Sequence, residues 1–305
     1  MSQPTNDSLR RIAVSGGSRI PFCRSNSSYA VKTNLDMLAA ALQRVVDRFG
    51  LDGQHMNEVV AGAVTSHSKD WNLAREALLS TSLSPLTPGI TMQQACGTSL
   101  QAALTIGAKI ATGQIECGIA AGSDTTSDPP ISFGRKFSQR LVKAGAARSA
   151  RQRLRAFKGF RPGELKPVLP ANGEPRTGLS MGQHCERMAR EWKISRPEQD
   201  RLAMESHLKA AQAWDSGFFD ALVTPWASVA RDNNIRADSA MDKLGSLRTA
   251  FSKDPEATLT AGNSTPLTDG AAAVLLASED WAKARGLPVQ AYLTAGRTSA
   301  VDFVS

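Results

Sequence analysis

The sequence predicts an α/β protein with a layered α/β/α core, on three observations. Short apolar runs alternate with helix-period segments over residues 34–121, a long stretch rich in proline, glycine and arginine breaks the pattern, and the alternation resumes near residue 259. At 305 residues and 41% hydrophobic content, the chain can bury one extensive core or two sub-domains.

Residues 34–49 place Leu35, Leu38, Leu42, Val45 and Phe49 at helical spacing, and Gly50 stands where a helix ends. Residues 58–64 (EVVAGAV) read as a strand buried on both faces, after which Asp70 is placed to cap a helix running to Leu79. Residues 90–93 read as a strand, 98–112 as an alanine-rich helix stopped by Gly113, and 117–121 (CGIAA) as another buried strand. Residues 123–179 show no sustained period, which predicts a loop-rich insertion. Helices follow over 181–193 and 197–216, the second opened by Ser195 and Glu198 at capping-box spacing and closed by Gly217. Residues 259–262, 271–277 and 289–293 read as strands, with a helix over 278–285 between the last two.

Composition narrows the function. No run of eighteen apolar residues occurs, and residues 1–11 are polar without a signal region, so a cytoplasmic, non-secreted protein is expected. Cys23, Cys96, Cys117 and Cys185 are scattered, which suits neither a disulfide framework nor a zinc site, and no metal is expected. The net charge of +8 favours an anionic partner such as a phosphate-bearing cofactor, anionic lipid or nucleic acid. Much of that charge lies between Arg135 and Arg161, in a stretch with no acidic residue between Asp128 and Glu164. A nucleic-acid site would want interleaved stacking aromatics or a known fold signature; only Phe133, Phe137, Phe157 and Phe160 are near, so no nucleic-acid partner is expected.

The chemistry points to Cys96. Residues 94–103 (QACGTSLQAA) put this cysteine at the junction of a strand and a helix, with small residues after it. A helix N-terminus favours a thiolate over a thiol, and the amides of its first turn can donate to a developing oxyanion. On these residues alone Cys96 also reads as a small buried side chain, as free cysteines often are. A cysteine hydrolase pairing Cys96 with a histidine elsewhere is a further reading.

The segment around Cys96 resembles the acyl-enzyme signature of the thiolase family, and other segments extend the resemblance. Residues 19–22 (RIPF) are similar to the family's opening Arg-x-Pro-Phe turn, 120–125 (AAGSDT) to the strand and turn after the nucleophile helix, 181–192 (MGQHCERMAREW) and 195–203 (SRPEQDRLA) to its helical segments, and 260–273 (TAGNSTPLTDGAAA) to a second signature. The likeness is strongest to the thiolase subunit of the fatty-acid β-oxidation complexes.

The resemblance implies thiolytic cleavage of a 3-ketoacyl-CoA, or the reverse Claisen condensation, through an acyl-cysteine at Cys96, with CoA as co-substrate and no tightly bound cofactor. It implies Arg236 at the nucleotide end of CoA, Thr265 along the pantetheine arm and Met181 as a lining position. On the bare residues, Arg236 is equally a solvated loop cation, Thr265 a turn residue beside Pro266, and Met181 ordinary core. Asp269-Gly270 reads as a turn before a strand rather than a catalytic carboxylate.

Thiolases also use a histidine, a second cysteine and an oxyanion-holding segment from a C-terminal half. No Gly-His-Pro, Cys-x-Gly or Asn-Glu-Ala-Phe run occurs here, and His55, His67, His184 and His207 stand in settings that suit surface or core roles. The expected architecture is therefore a thiolase-like N-terminal half plus loop domain, with the C-terminal half truncated. Residues 1–125 and 250–287 would form the core carrying the nucleophile, 126–249 the CoA-binding loop insertion, and 288–305 the start of a second core. Family membership implies acyl-CoA and CoA as partners, a homo-oligomer, and for the complex type a hydratase/dehydrogenase subunit. It also raises peripheral membrane contact through the basic loop 135–161.

Overall fold

The structure is a computed structural model that describes residues 9–301; the polar start up to residue 8, and residues 302–305, lie outside the described residues. The core strands are β1 (Ile12–Arg19), β2 (Cys23–Arg24), β3 (Val59–Gly62), β4 (Gly89–Thr91) and β5 (Cys117–Asp124). The helices among them are α1 (Asn34–Phe49), α2 (Leu73–Leu79) and α3 (Thr98–Ala111). The insertion holds β6 (Ser132–Phe133), α4 (Arg135–Gly145), α5 (Ala150–Ala156), β7 (Pro167–Val168), α6 (Met181–Glu191), α7 (Arg196–Asp215) and α8 (Met241–Gly245). The chain then returns through β8 (Thr268–Ser278), α9 (Glu279–Ala284) and β9 (Ala291–Tyr292).

One mixed sheet organises the core in the order β4-β3-β5-β8-β1-β9, with β2 paired to β8 beside it. β3 runs parallel to β4 and β5, whereas β8 is antiparallel to both β5 and β1. Side-chain alternation sorts the strands onto two apolar cores. Val59, Ala61, Ile119, Ala121, Ala273 and Leu275 face the core under α1 and α2, while Val60, Ala120 and Leu276 face the one under α3 with Ala102, Ile106 and Ile110. Both faces of the central strands are thus covered, which is why they read as unbroken apolar runs. α1 buries Met37, Leu38, Leu42, Val45 and Val46, each such side chain contributing about 1.5–3 kcal/mol. Thr33 and Asp36 cap it reciprocally, and Gly50 ends it in the left-handed conformation (φ 62°).

The structure corrects several expectations. β1 was not foreseen, because its central Ser-Gly-Gly-Ser dilutes the apolar alternation; it is buried because β8 pairs along its length. Asn72, not Asp70, caps α2, its side chain accepting from the Arg75 amide at 3.1 Å. Residues 259–262 form no strand: Thr260 makes one isolated bridge to Thr249. The insertion is more regular than its sequence, with α4 and α5 forming a hairpin around Phe133, Phe137, Phe157 and Phe160, whose ring centroids lie 4.9–6.5 Å apart. Ala291 and Tyr292 pair with β1 at the far edge of the sheet.

Candidate active site

Cys96 sits between β4 and α3, immediately before Gly97, the N-cap of the helix. The loop is stapled by one hydroxyl: Thr98 Oγ1 donates to the Ala95 carbonyl (2.7 Å) and accepts from the Gln94 amide (2.8 Å). This holds Ala95 at φ 45°, an uncommon conformation for a residue with a Cβ, and turns Cys96 outward to an exposed position. Gly62 at the end of β3 makes the close approach possible, since a Cβ there would overlap the Met92 carbonyl and the Thr98 methyl.

Cys96 opens onto a cavity of about 210 Å³ lined by Phe22, Gly62, Ala95, Thr98, Ser99, the Gly122–Asp124 end of β5, and Thr268, Gly270, Ala271 and Ala272 of β8. Gly270 admits the Phe22 ring, which would collide with any side chain at that position. Phe22 is itself held from below. Its amide donates to Asp232 Oδ1 (2.6 Å), and Arg19 donates to both Asp232 oxygens (2.7 and 2.8 Å) while its guanidinium lies 4.5 Å from the Phe22 ring centroid. Burial works against the Asp232 carboxylate, yet the Arg19 guanidinium, the Phe22 amide and the Trp214 indole together hold its pKa below the ordinary value. The Arg-x-Pro-Phe segment is therefore a pin joining the core sheet to the insertion.

Beyond Phe22 opens a second cavity of about 930 Å³, between the α6–α7 pair and the segment leading into β8. Cys185, Met188, Trp192, Gln199, Leu202 and His207 line the helical side, and Gly262 to Pro266 line the other. Buried carboxylates hold that second wall. Glu186 accepts from the amides of Thr258 (2.7 Å) and Leu259 (2.9 Å), and Asp200 accepts from Asn263 Nδ2 (2.9 Å) while paired to Arg196 (2.7 Å). Asn263 Oδ1 in turn accepts from the Thr260 amide at 2.7 Å.

Thr265 lines the large cavity, with its hydroxyl beside the Pro266 carbonyl. Arg236 stands at the rim: its amide donates to His207 Nδ1 (3.3 Å), and burial, then the Arg236 charge, push the His207 pKa down, which suits an accepting ring nitrogen. Met181 opens α6 at 77% exposure and lines neither cavity, so it is not core either. Among the described residues Phe22 alone lines both cavities, a role its turn motif did not announce. Asp269 is fully buried, accepting from the Thr125 hydroxyl (2.8 Å) and the Thr126 amide (3.1 Å), and it lies within β8 opposite Cys23, so residues 269–270 belong to the strand rather than to the turn expected before it. Among the described residues no group of His, Cys, Asp and Glu is arranged to hold a metal ion.

The model of the thiolase N-terminal domain matches residues 12–280, which takes in β1, the Cys96 loop, both cavities and β8. The chain belongs to the thiolase family. A 3-ketoacyl-CoA thiolase of Shewanella baltica is 40% identical over 306 residues, covering 98% of this chain and 70% of the relative. Among solved structures, an acetyl-CoA acetyltransferase of Bacillus anthracis superposes with a TM-score of 0.78 at 25% identity, over 93% of this chain and 70% of the other. A human mitochondrial 3-ketoacyl-CoA thiolase crystallised with CoA, at TM-score 0.77 and 24% identity over 93% of this chain and 69% of the other, has the same fold. The family likeness thus makes this chain an acyltransferase by descent, and the layered α/β fold agrees with it.

Proposed function

We propose that Cys96 is the acyl-accepting nucleophile of a thiolase reaction on 3-ketoacyl-CoA, the substrate named for the Shewanella relative, and that CoA lies in the large cavity. One observation carries this reading. One stretch of chain contributes to the walls of both cavities, with Gly262 to Pro266 in the large one and Thr268 and Gly270 to Ala272 in that of Cys96. A thioester lying along it would point its acyl end toward the thiol. In that reaction the Cys96 thiolate attacks the 3-keto carbon and the bond between C2 and C3 breaks. Its electron pair passes to C2, which takes a proton and leaves as acetyl-CoA. The thiol of a second CoA then displaces the acyl group from Cys96, and the amides at the α3 N-terminus face the oxyanion of each step. Thr265 and Arg236 are the residues proposed to meet the pantetheine arm and the nucleotide, and Met181, exposed at the start of α6, is proposed as a lining position for CoA.

Cys185 offers a test independent of turnover, because it lines the large cavity. Saturating CoA is expected to slow alkylation of both Cys185 and Cys96 several-fold, read as labelled peptides by mass. Unchanged labelling of Cys185 would place CoA elsewhere.

The division into a core of residues 1–125 and 250–287, an insertion of 126–249 and a further segment from 288 is proposed with this function. Four free cysteines support a reducing, cytoplasmic setting, and no described helix is long and apolar enough to cross a membrane. Among the described residues β4 ends the sheet with no strand on its outer side, and its Ile90 is exposed, which supports a homo-oligomer formed across that edge. The α4–α5 hairpin supports a membrane or partner-subunit role, a hydratase/dehydrogenase subunit included. Val142 and Leu154 are exposed among its cations, although Phe137 is buried and Arg140 is tied inward to Glu164 (2.7 Å).

A further inference from the structure

Residues 234–237 are anchored at both ends and at one point between. Before them, Asp232 bonds Arg19 and the Phe22 amide, the Asn233 amide donates to the Phe22 carbonyl (3.2 Å), and Asn233 Oδ1 accepts from the Arg24 amide (2.7 Å). After them, Lys243 of α8 donates to the Asp238 carbonyl (2.9 Å) and pairs with its carboxylate (2.8 Å). Between these anchors the Arg236 amide donates to His207 Nδ1 of α7 at 3.3 Å. Among the described residues no other hydrogen bond ties residues 234–237 to a helix or strand.

His207 lies on the α7 face that lines the large cavity, with Ala203 four residues before it and Ala210 three after, and Asn234 and Ile235 line the same cavity. An Nδ1 that accepts leaves the ring proton on Nε2, so the bond needs an uncharged imidazole. Burial, and next the Arg236 charge, keep the His207 pKa below its ordinary value, so the accepting form is the one present at neutral pH. Of the acidic groups in the cavity, Asp232 is taken by Arg19, and Glu198 by the Ser195 amide and hydroxyl (2.9 and 2.7 Å). Lys193 and Arg201 line the wall and Arg236 stands at the rim, none of them in an ion pair among the described residues. Cations without carboxylate partners suit the phosphates of a nucleotide.

We propose that His207 is a positioning residue for the nucleotide end of CoA: by accepting from the Arg236 amide it fixes residues 234–237 against α7, and with them the Arg236 guanidinium at the cavity rim. The proposal rests on the reading that CoA lies in the large cavity with its nucleotide at Arg236. A side chain at 207 that cannot accept removes the one tie in the middle of this segment, and ordering Arg236 on the ligand then costs part of the affinity.

The test compares the unmodified chain with His207→Leu, which has no acceptor, and His207→Asn, whose Oδ1 stands as many bonds from the backbone as Nδ1. Two quantities are read: binding of CoA and of pantetheine, which has no nucleotide, by calorimetry, and hydrogen–deuterium exchange of the peptide spanning residues 233–239. His207→Leu is expected to exchange the Arg236 amide severalfold faster and to bind CoA about fivefold more weakly, the effect of one net hydrogen bond, with pantetheine binding unchanged. His207→Asn is expected to restore both the exchange rate and the CoA affinity. His207→Phe, equally without an acceptor, replaces His207→Leu if that variant does not melt cooperatively. Unchanged exchange of the Arg236 amide in the variant without an acceptor, an equal loss of CoA and pantetheine binding, or no rescue by His207→Asn would each overturn the proposal. Failure of the unmodified chain to bind CoA would instead sink the reading beneath it, and the exchange comparison would still decide whether His207 holds Arg236.

Discussion

At the scale of the residue, Arg19 carries more of the structure than its place in a short turn implies. Its guanidinium and the Asp232 carboxylate are 11% and 9% exposed and make two parallel hydrogen bonds, so removing either partner leaves an uncompensated buried charge. Arg19→Met is expected to cost about 3 kcal/mol in urea unfolding, and the Arg19→Met, Asp232→Asn double variant less than that, because it removes the stranded charge as well. The pH dependence has a definite sign. Because the Asp232 pKa is lowered on folding, its stabilisation is present above the unfolded value of about 3.9 and is lost as pH falls through the lower folded value. Asp232→Asn should therefore melt below the unmodified chain at pH 6, and the gap should close as the pH is lowered toward 2. Phe22 depends on the same pin. Phe22→Ala should open the passage between the two cavities, which calorimetry of CoA binding and the relative labelling of Cys96 by small and bulky alkylating agents would register.

At the scale of the element, the strand-to-helix junction at Cys96 was legible because its residue types are dictated locally. Small residues and a hydroxyl are needed where a loop turns tightly into a helix, and the sequence has them from Ala95 to Ser99. β1 and the α4–α5 hairpin were not legible, for different reasons. β1 owes its burial to β8, some 260 positions away in sequence, and its glycines suppress the local alternation. The hairpin is held by an aromatic cluster and by Arg140 bonding the Ala156 and Lys158 carbonyls, contacts that no periodicity announces. The large cavity was foreseen only in fragments. Thr265 and Arg236 followed from family resemblance, whereas Trp192, His207 and the ties from Glu186 and Asp200 exist only once α6 and α7 pack against residues 258–266. Two variants test the junction and the wall. Gly62→Ala should be strongly destabilising, because Met92 belongs to the backbone that must move. Glu186→Gln should weaken CoA binding while leaving Cys96 labelling by iodoacetamide unchanged, since the two walls are separately supported.

At the scale of the whole molecule, a sheet covered on both faces supports the Cys96 loop at one end of its parallel strands, and an insertion anchored by the Arg19–Asp232 pin forms the cavity beside it. The chain spans 70% of the Shewanella relative and carries this arrangement complete from β1 to β8. The basic hairpin lies on the insertion, remote in sequence from the thiol. If it meets anionic membranes, the chain should sediment with anionic vesicles at low salt, be released at high salt and ignore neutral vesicles; equal behaviour on both would remove that role. The proposed function requires Cys96 to accept acyl groups from a CoA thioester. It is tested most directly by incubating the chain with acetyl-CoA and measuring peptide masses. An acetyl group is expected on the Cys96 peptide, removed by free CoA and absent from Cys96→Ala, whereas acetylation of Cys185 instead, or of no cysteine, would contradict a Cys96 nucleophile.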